Sequence, residues 1–393
     1  MKQIVWLGLG FATGCLGPWP GPEGSGTGTF EPNVGFVYVG PVGDHGWTKS
    51  HDDGRLALEA DLDVPTTYVP SVLPADGLAV MDELVAGGTN VVFTTSFDFV
   101  SSTQQAAANH PEASFLNCSG NVYAPNLSSY MGRMYQPIYL AGLVAGSTTQ
   151  TDHVAVLASV PIPEVVRHVN AFALGVREAN PQAVVEVVWI MNFFDVTLEP
   201  LYTQALIDHG ADVILTQTDT TIPIEAADGK KVHLGEDAFP VYTIAYDNVD
   251  GCAHAPDTCL TSAYWNWGPM YTALVSQIAD GTWNPEDIRW DQMESTPETS
   301  TVALADFNPI VKGEVRLMVD GHLPTLVDPD NVAVPFVGPI RDAVGDLRVS
   351  AGDALDDTAL NRMCWHVEGV MNWDEQFGAL VPATVPNGCG GDI

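Results

Sequence analysis

The run Val34-Gly35-Phe36-Val37-Tyr38-Val39, followed by the loop Gly40 to Gly46 and by Trp47-Thr48, decides the fold. Six residues with no polar alternation, closed off by glycine and proline, predict a strand buried on both faces. Thr48 can cap a helix over residues 48–61, in which Leu56, Leu58 and Ala60 supply apolar positions. The same plan continues. Strands are expected at 66–69, 90–94 and 113–118, with helices at 75–86 and 97–108 between them. Gly87-Gly88 closes the first of these helices. This βαβαβαβ order requires a parallel sheet with helices on both faces.

The plan then restarts. Helices are expected at 133–145, 164–179 and 197–209, and strands at 153–158, 184–190, 213–216 and 241–246. The two runs agree in order but not in sequence, so they are not an internal repeat. A chain of 393 residues is also long for one core. The expected class is α/β, with two doubly wound Rossmann-like lobes joined by a hinge. Ligands of such sheets sit beyond the carboxyl ends of the strands. In a clamshell those ends face a shared cleft.

Composition narrows the function. The chain carries 49 Asp and Glu against 14 Lys and Arg, a net charge of −35. Nucleic-acid binding needs cations to replace the counterions of phosphate, so it is excluded as a reading. Electrostatic docking on anionic lipid is disfavoured for the same reason. Ten Trp, 11 Tyr and 14 Phe set the chain apart from a disordered acidic segment.

Met1-Lys2-Gln3 and the apolar stretch Ile4 to Ala12 form a leader too short to span a bilayer. Ala12-Thr13-Gly14-Cys15 resembles a bacterial lipobox, which makes residues 1–15 a lipoprotein signal and Cys15 the lipid attachment site. A plain secretory signal is the alternative. Residues 16–32 form a flexible Gly-, Pro- and Ser-rich tether. Export permits disulfides. Cys252 and Cys259 flank a short loop and can pair, as can Cys364 and Cys389, leaving Cys118 as a small buried apolar residue. No cysteine and histidine spacing suits a metal, and no cofactor is expected.

The strand ends select candidate ligand residues. They are Asp44 to Trp47, Thr95 to Phe97, Asn117 to Gly120, Asn192 to Asp195, Gln217 to Thr220, and Asp247-Asn248. Aromatic, amide and carboxylate groups dominate and cations are nearly absent. A flat, neutral, hydrogen-bonding ligand fits this set better than a phosphate or a carboxylate. Each residue also has a plainer use. Trp47 can seal its lobe, Asp44 can cap a helix, Asp219 can be a solvated turn residue, and Asp247 can form an Asx-turn with Val249.

Gly43-Asp44-His45-Gly46-Trp47-Thr48, with Ser50-His51-Asp52 and Gly54-Arg55, resembles the first loop of the basic membrane protein (BMP) family. These are substrate-binding lipoproteins of ABC transporters and include purine nucleoside receptors. Tyr139-Leu140-Ala141-Gly142, Pro161-Ile162-Pro163, Asn170-Ala171-Phe172, Gly210 to Ile214, Asn266-Trp267-Gly268-Pro269 and Phe336 to Ile340 fit in order. The resemblance covers roughly residues 34 to 375.

It implies a type I periplasmic-binding-protein clamshell with three crossings between lobes. The expected division is 33–149 for lobe 1 and 150–260 for lobe 2. A return to lobe 1 follows over 261–294 and to lobe 2 over 295–340, with a C-terminal extension over 341–393. It implies a purine ligand, a permease partner and a membrane anchor. Trp47 and one of Phe193 and Phe194 would stack on the base. Asp44, Ser96, Phe97, Asp219, Asp247 and Trp265 would line the cleft.

Two departures bear on the ligand. Nucleoside-binding members carry a lysine after a Thr-Ser pair near the hinge, whereas Thr261-Ser262 precedes Ala263-Tyr264-Trp265-Asn266. A free base such as adenine therefore stands beside a nucleoside as the expected ligand. Val196 also replaces a proline after Asn192-Phe193-Phe194-Asp195.

Neither a GxSxG elbow, an HExxH pair nor a Walker loop occurs. A binder is expected rather than an enzyme. Asp44 with His45 and His51 is the nearest thing to a hydrolytic arrangement. A sensor module serving a membrane signalling partner is the other non-enzymatic reading.

Overall fold

Two parallel sheets organise the chain in a computed structural model that describes residues 30–386 and Cys389. The expectations for the leader, the lipid site Cys15 and most of the tether lie outside the described residues.

The first sheet follows the expected order closely. Its elements are β1 (Val34–Val37), α1 (Trp47–Leu62), β2 (Thr66–Val69), α2 (Gly77–Ala86), β3 (Val91–Thr94), α3 (Val100–Asn109), β4 (Ser114–Cys118) and β5 (Leu127–Gly132). All four residues of β1 are buried, which is why the strand reads as unbroken apolar sequence. Pro74–Asp76 and Phe97–Phe99 are 3-10 turns leading into α2 and α3. A helix had been expected from 97, but Ser96 accepts the Asp98 amide and tightens that turn.

The chain then enters α4 (Tyr135–Thr148), which packs on the second sheet. That sheet's elements are β6 (His153–Ala158), α5 (Pro163–Ala179), β7 (Val184–Trp189), α6 (Leu198–His209), β8 (Val213–Gln217), α7 (Ile222–Ala227), the hairpin β9 (Lys231–Leu234) and β10 (Asp237–Pro240), β11 (Tyr242–Asp247) and β12 (Cys259–Trp265). Helices α4 and α5 cross at glycines. A Cβ on Gly175 would lie 2.1 Å from the Tyr139 carbonyl, and one on Gly142 would lie 2.3 Å from that of Phe172.

After Trp265 the chain returns to the first lobe, where α8 (Trp267–Ala279) packs on α1 and β13 (Arg289–Asp291) joins β5. It crosses a third time to β14 (Val302–Leu304) and α9 (Gly313–Leu326). The small hairpin β15 (Ile340–Arg341) and β16 (Leu347–Val349) and the short α10 (Asp357–Asn361) follow. Last come β17 (Val370–Asp374) and β18 (Ala379–Pro382).

The first sheet runs β13-β5-β4-β3-β1-β2 and the second β14-β12-β11-β8-β6-β7-β17-β18. The segment after residue 340 thus extends the second sheet, with β17 parallel to β7 and β18 antiparallel at the edge. One apolar cluster links the lobes, from Phe36, Phe93 and Leu116 through Trp267 and Tyr271 to Val165, Val169, Val213 and Ile244. Disulfides join Cys252 to Cys259 and Cys364 to Cys389, and Cys118 is a buried free thiol. None of the described helices is long and apolar enough to cross a membrane.

Candidate functional site

The carboxyl ends of both sheets meet across a closed seam. A Cβ on Gly46 would lie 2.4 Å from the carbonyl oxygen of Asp219, so the two lobes touch backbone to backbone there. Asn248 donates to Asp53 from the opposite lobe, and the His45 and His254 rings meet at 5.0 Å. Four non-glycine residues on strand-end loops around this seam adopt positive φ: His45 at 65°, Ser119 at 63°, Met191 at 59° and Asp247 at 73°. Such backbone conformations persist where surrounding structure imposes them, and they concentrate at ligand sites.

On the first lobe, Asp44 is buried and its carboxylate accepts the amides of Gly46, Thr48 and Lys49 at 3.1, 2.8 and 3.0 Å. It therefore caps α1, a role worth about 0.5–2 kcal/mol. Burial raises its pKa, and the three amides pull it back down. Trp47 is buried, and its indole N–H donates to the Thr95 carbonyl at 2.7 Å. Its ring meets Trp265 edge-on at 5.6 Å and Trp267 edge-on at 5.8 Å, while those two indoles stack on each other at 4.7 Å. Ser96 and Phe97 follow Thr95 and are half-buried.

On the second lobe, β11 ends in Asp247, which is fully buried. Its Oδ1 accepts the Trp265 indole N–H at 3.0 Å, and its Oδ2 has no partner. Gln217 ends β8 and is also buried, with neither amide atom paired, and the Thr218 hydroxyl is unpaired too. A buried polar group left unsatisfied costs about 1–3 kcal/mol, so this cleft presents groups that a ligand would satisfy. Asp219 donates its amide to the Phe193 carbonyl at 2.9 Å. Phe193 and Phe194 remain 38% and 45% exposed, so neither ring is part of the core. Their loop is held by Glu199, which accepts the Asp195 amide at 2.8 Å and the Thr220 hydroxyl.

The sequence-selected residues therefore converge. Trp47 touches Trp265, which bonds Asp247; Gly46 touches Asp219, which bonds Phe193; and Thr95, beside Ser96, accepts from Trp47. The loop after β6 was absent from the set of strand ends, and with it Glu164 at the start of α5. Glu164, Asp219 and Tyr246 are half-buried, and burial raises the pKa of each. Burial raises the pKa of Asp219 and Asp247; Asp44 and Glu164 add to both, Glu199 adds to Asp219, and Asp219 adds to Asp247. Among the described residues, no group of His, Cys, Asp or Glu is placed to hold a metal ion.

The sequence matches the family of PnrA-like ABC transporter substrate-binding proteins over residues 31–296. The chain belongs to this BMP family. It is 34% identical over 340 residues to a purine-binding protein of Brucella abortus (strain 2308), covering 86% of this chain and 92% of that one. It is 32% identical over 343 residues to a putative ABC transporter glucose-binding protein of Haloferax volcanii, covering 86% and 80%.

Among solved structures, an ABC transporter solute-binding protein from Conexibacter woesei aligns with a TM-score of 0.60 at 20% identity, covering 76% of this chain and 97% of that one. A transcriptional activator of the comK gene from Bacillus halodurans aligns at 0.63 and 21% identity, covering 76% and 98%. These two likenesses concern the fold. As a BMP-family protein the chain is a solute binder and not an enzyme. It works outside the cytoplasm with a small-molecule ligand and an ABC permease.

Proposed function

We propose that this BMP-family protein captures a purine, as free base or nucleoside, in the interlobe cleft and delivers it to its permease. The observation that carries the reading is the pairing of unsatisfied buried acceptors with an indole wall. Asp247 Oδ2 and the Gln217 amide have no partner, and Trp47 and Trp265 stand beside Asp247. A purine offers ring N–H and amino donors along its edge and a π face to the aromatic residues. The 34% identical relative, named as purine-binding, supports it.

In this reading Trp47 forms one face of the site, and Phe193 or Phe194 closes over the other. Asp219 and Asp247 accept from the base edge or from ribose, while Ser96 and Phe97 line the first-lobe side. Asp44 contributes mainly by shaping the loop that carries Trp47. Ligand contact with both lobes favours the closed state in proportion to its differential affinity. Cys15 would carry the lipid that keeps the protein near its permease.

A hexose is the second reading. It is favoured by the relative named as a putative glucose-binding protein and by the density of acceptors, which suit hydroxyl donors equally well. Mass spectrometry of the small molecule released on denaturing freshly purified protein separates the two. A purine base or nucleoside is expected. A hexose would transfer the function to the second reading.

A further inference from the structure

We propose that Glu164 is a ligand-binding residue of the cleft. With Asp219 and Asp247 it forms a three-carboxylate face that selects neutral ligands rich in N–H and O–H donors and excludes anions. The inference rests on the cleft being the ligand chamber, and not on the ligand being a purine.

Glu164 is the second residue of α5, after Pro163. It is partly exposed, and Ala158, which ends β6 before the loop into α5, pairs with Gln217 at the end of β8. The start of α5 therefore lies next to the end of β8, at the carboxyl end of the second sheet where ligands of such sheets sit. Asp219 follows β8, and Asp247 and Tyr246 end β11; all three feel the Glu164 charge. Cys118 of β4 feels it as well, and Asp44 and Glu199 face Asp219.

The cation beside Glu164 is Arg167, one turn along α5. Its guanidinium donates to the Leu360 carbonyl at 2.8 Å and lies over the Trp290 ring at 4.9 Å, while its Nε has no hydrogen-bond partner. Arg167 offsets the Glu164 charge, whereas Asp219 and Asp247 form no ion pair among the described residues.

Gln217 gives the independent sign that a ligand belongs here. Val213 and Leu215 pack in one core with Val165, Val166 and Val169 of α5. Gln217 continues that same face of β8, since side chains alternate along a strand. Its buried, unpaired amide therefore points to the side of the sheet where α5 begins. An amide carbonyl beside three carboxylates is an acceptor surface. It pairs with amino, ring N–H or hydroxyl groups, and an incoming phosphate or carboxylate would add like charge to it.

Hydrogen bonds from a ligand stabilise the ionised carboxylates, so capture releases protons and affinity rises with pH. The sign follows because donors favour the charged form and lower a pKa that burial and mutual repulsion had raised.

The test is titration calorimetry of the purified protein and its Glu164→Gln variant with adenine, adenosine, glucose and adenosine monophosphate, between pH 5 and 8. The wild type is expected to bind a neutral probe more tightly as pH rises and to reject the monophosphate. The variant, with unchanged melting, is expected to lose roughly tenfold or more in affinity, the scale of one hydrogen bond to a charged group, and to show a flatter pH profile.

Equal adenosine binding by both proteins, with equal pH profiles, would overturn the inference and leave the purine reading intact. Glucose binding that depends on Glu164 would overturn the purine reading alone. Binding of the monophosphate as tightly as adenosine overturns the inference without any variant. A wild type that binds no neutral probe overturns both.

Discussion

Asp247 combines three features that rarely occur together: a positive φ of 73°, complete burial, and a carboxylate oxygen with no partner. Its pKa is raised first by burial and then by Asp219, with the Trp265 indole opposing. For a carboxyl raised in the folded state, the folded chain keeps its proton over a pH window in which the unfolded chain has released it. Across that window stability falls as pH rises. Asp247→Asn removes this penalty. In urea unfolding of ligand-free protein, the variant's stability relative to wild type should grow as pH rises from below the ordinary carboxylate range toward neutrality. A difference that is flat or shrinks with pH would show that Asp247 is not held above its ordinary value.

At this scale the sequence pointed to loops that the structure brings together at the seam. Asp44, Trp47, Asp219 and Asp247 follow strands, and the strands were plain in the apolar runs. It left capping and ligand contact both open for Asp44, because they use the same residue type, and the structure shows the cap. Glu164 was legible only as the start of a helix, because an acidic residue in a first turn after proline is ordinary there.

Between elements, the α4–α5 crossing fixes the second lobe around the cleft. Gly142, Gly146 and Gly175 let the two helices approach until a Cβ on any of them would overlap a carbonyl of the other helix at 2.1–2.3 Å. Gly175→Ala should force the helices apart and cost about 1–3 kcal/mol, as overpacking does in other cores. Urea unfolding reads this directly, and an unchanged midpoint would mean the contact is loose.

His153–Ala158 matches its expected limits because a buried parallel strand shows as a short apolar run, and the half-exposed edge strand Thr66–Val69 matches through its β-branched and aromatic residues. The terminal strands β17 and β18 were not legible. Val370-Met371-Asn372-Trp373-Asp374 is half-buried and mixed in character, and its place is set by pairing with β7 and by Trp373 stacking on His209 at 3.8 Å. Those are long-range contacts that local pattern does not encode.

For the whole molecule, closure depends on the narrowest contact of the seam. Gly46 lies against the Asp219 backbone, so Gly46→Ala should hold the lobes apart while leaving each lobe's core untouched. Small-angle scattering with saturating ligand should give a larger radius of gyration for the variant than for wild type, together with weaker affinity. Identical compaction in both proteins would show that the contact does not limit closure. The net charge of −35 acts across the same scale, and it keeps anions from the cleft mouth before any local contact is made.

The central claim is that this BMP-family cleft is a purine receptor. Its most direct test is calorimetric titration of unfolded and refolded protein, stripped of carried-over ligand, with adenine, adenosine, guanosine, inosine and glucose. Tight, saturable binding of at least one purine at a stoichiometry of one is the predicted result. Binding of glucose alone, or of none of the five by a folded protein, would contradict it.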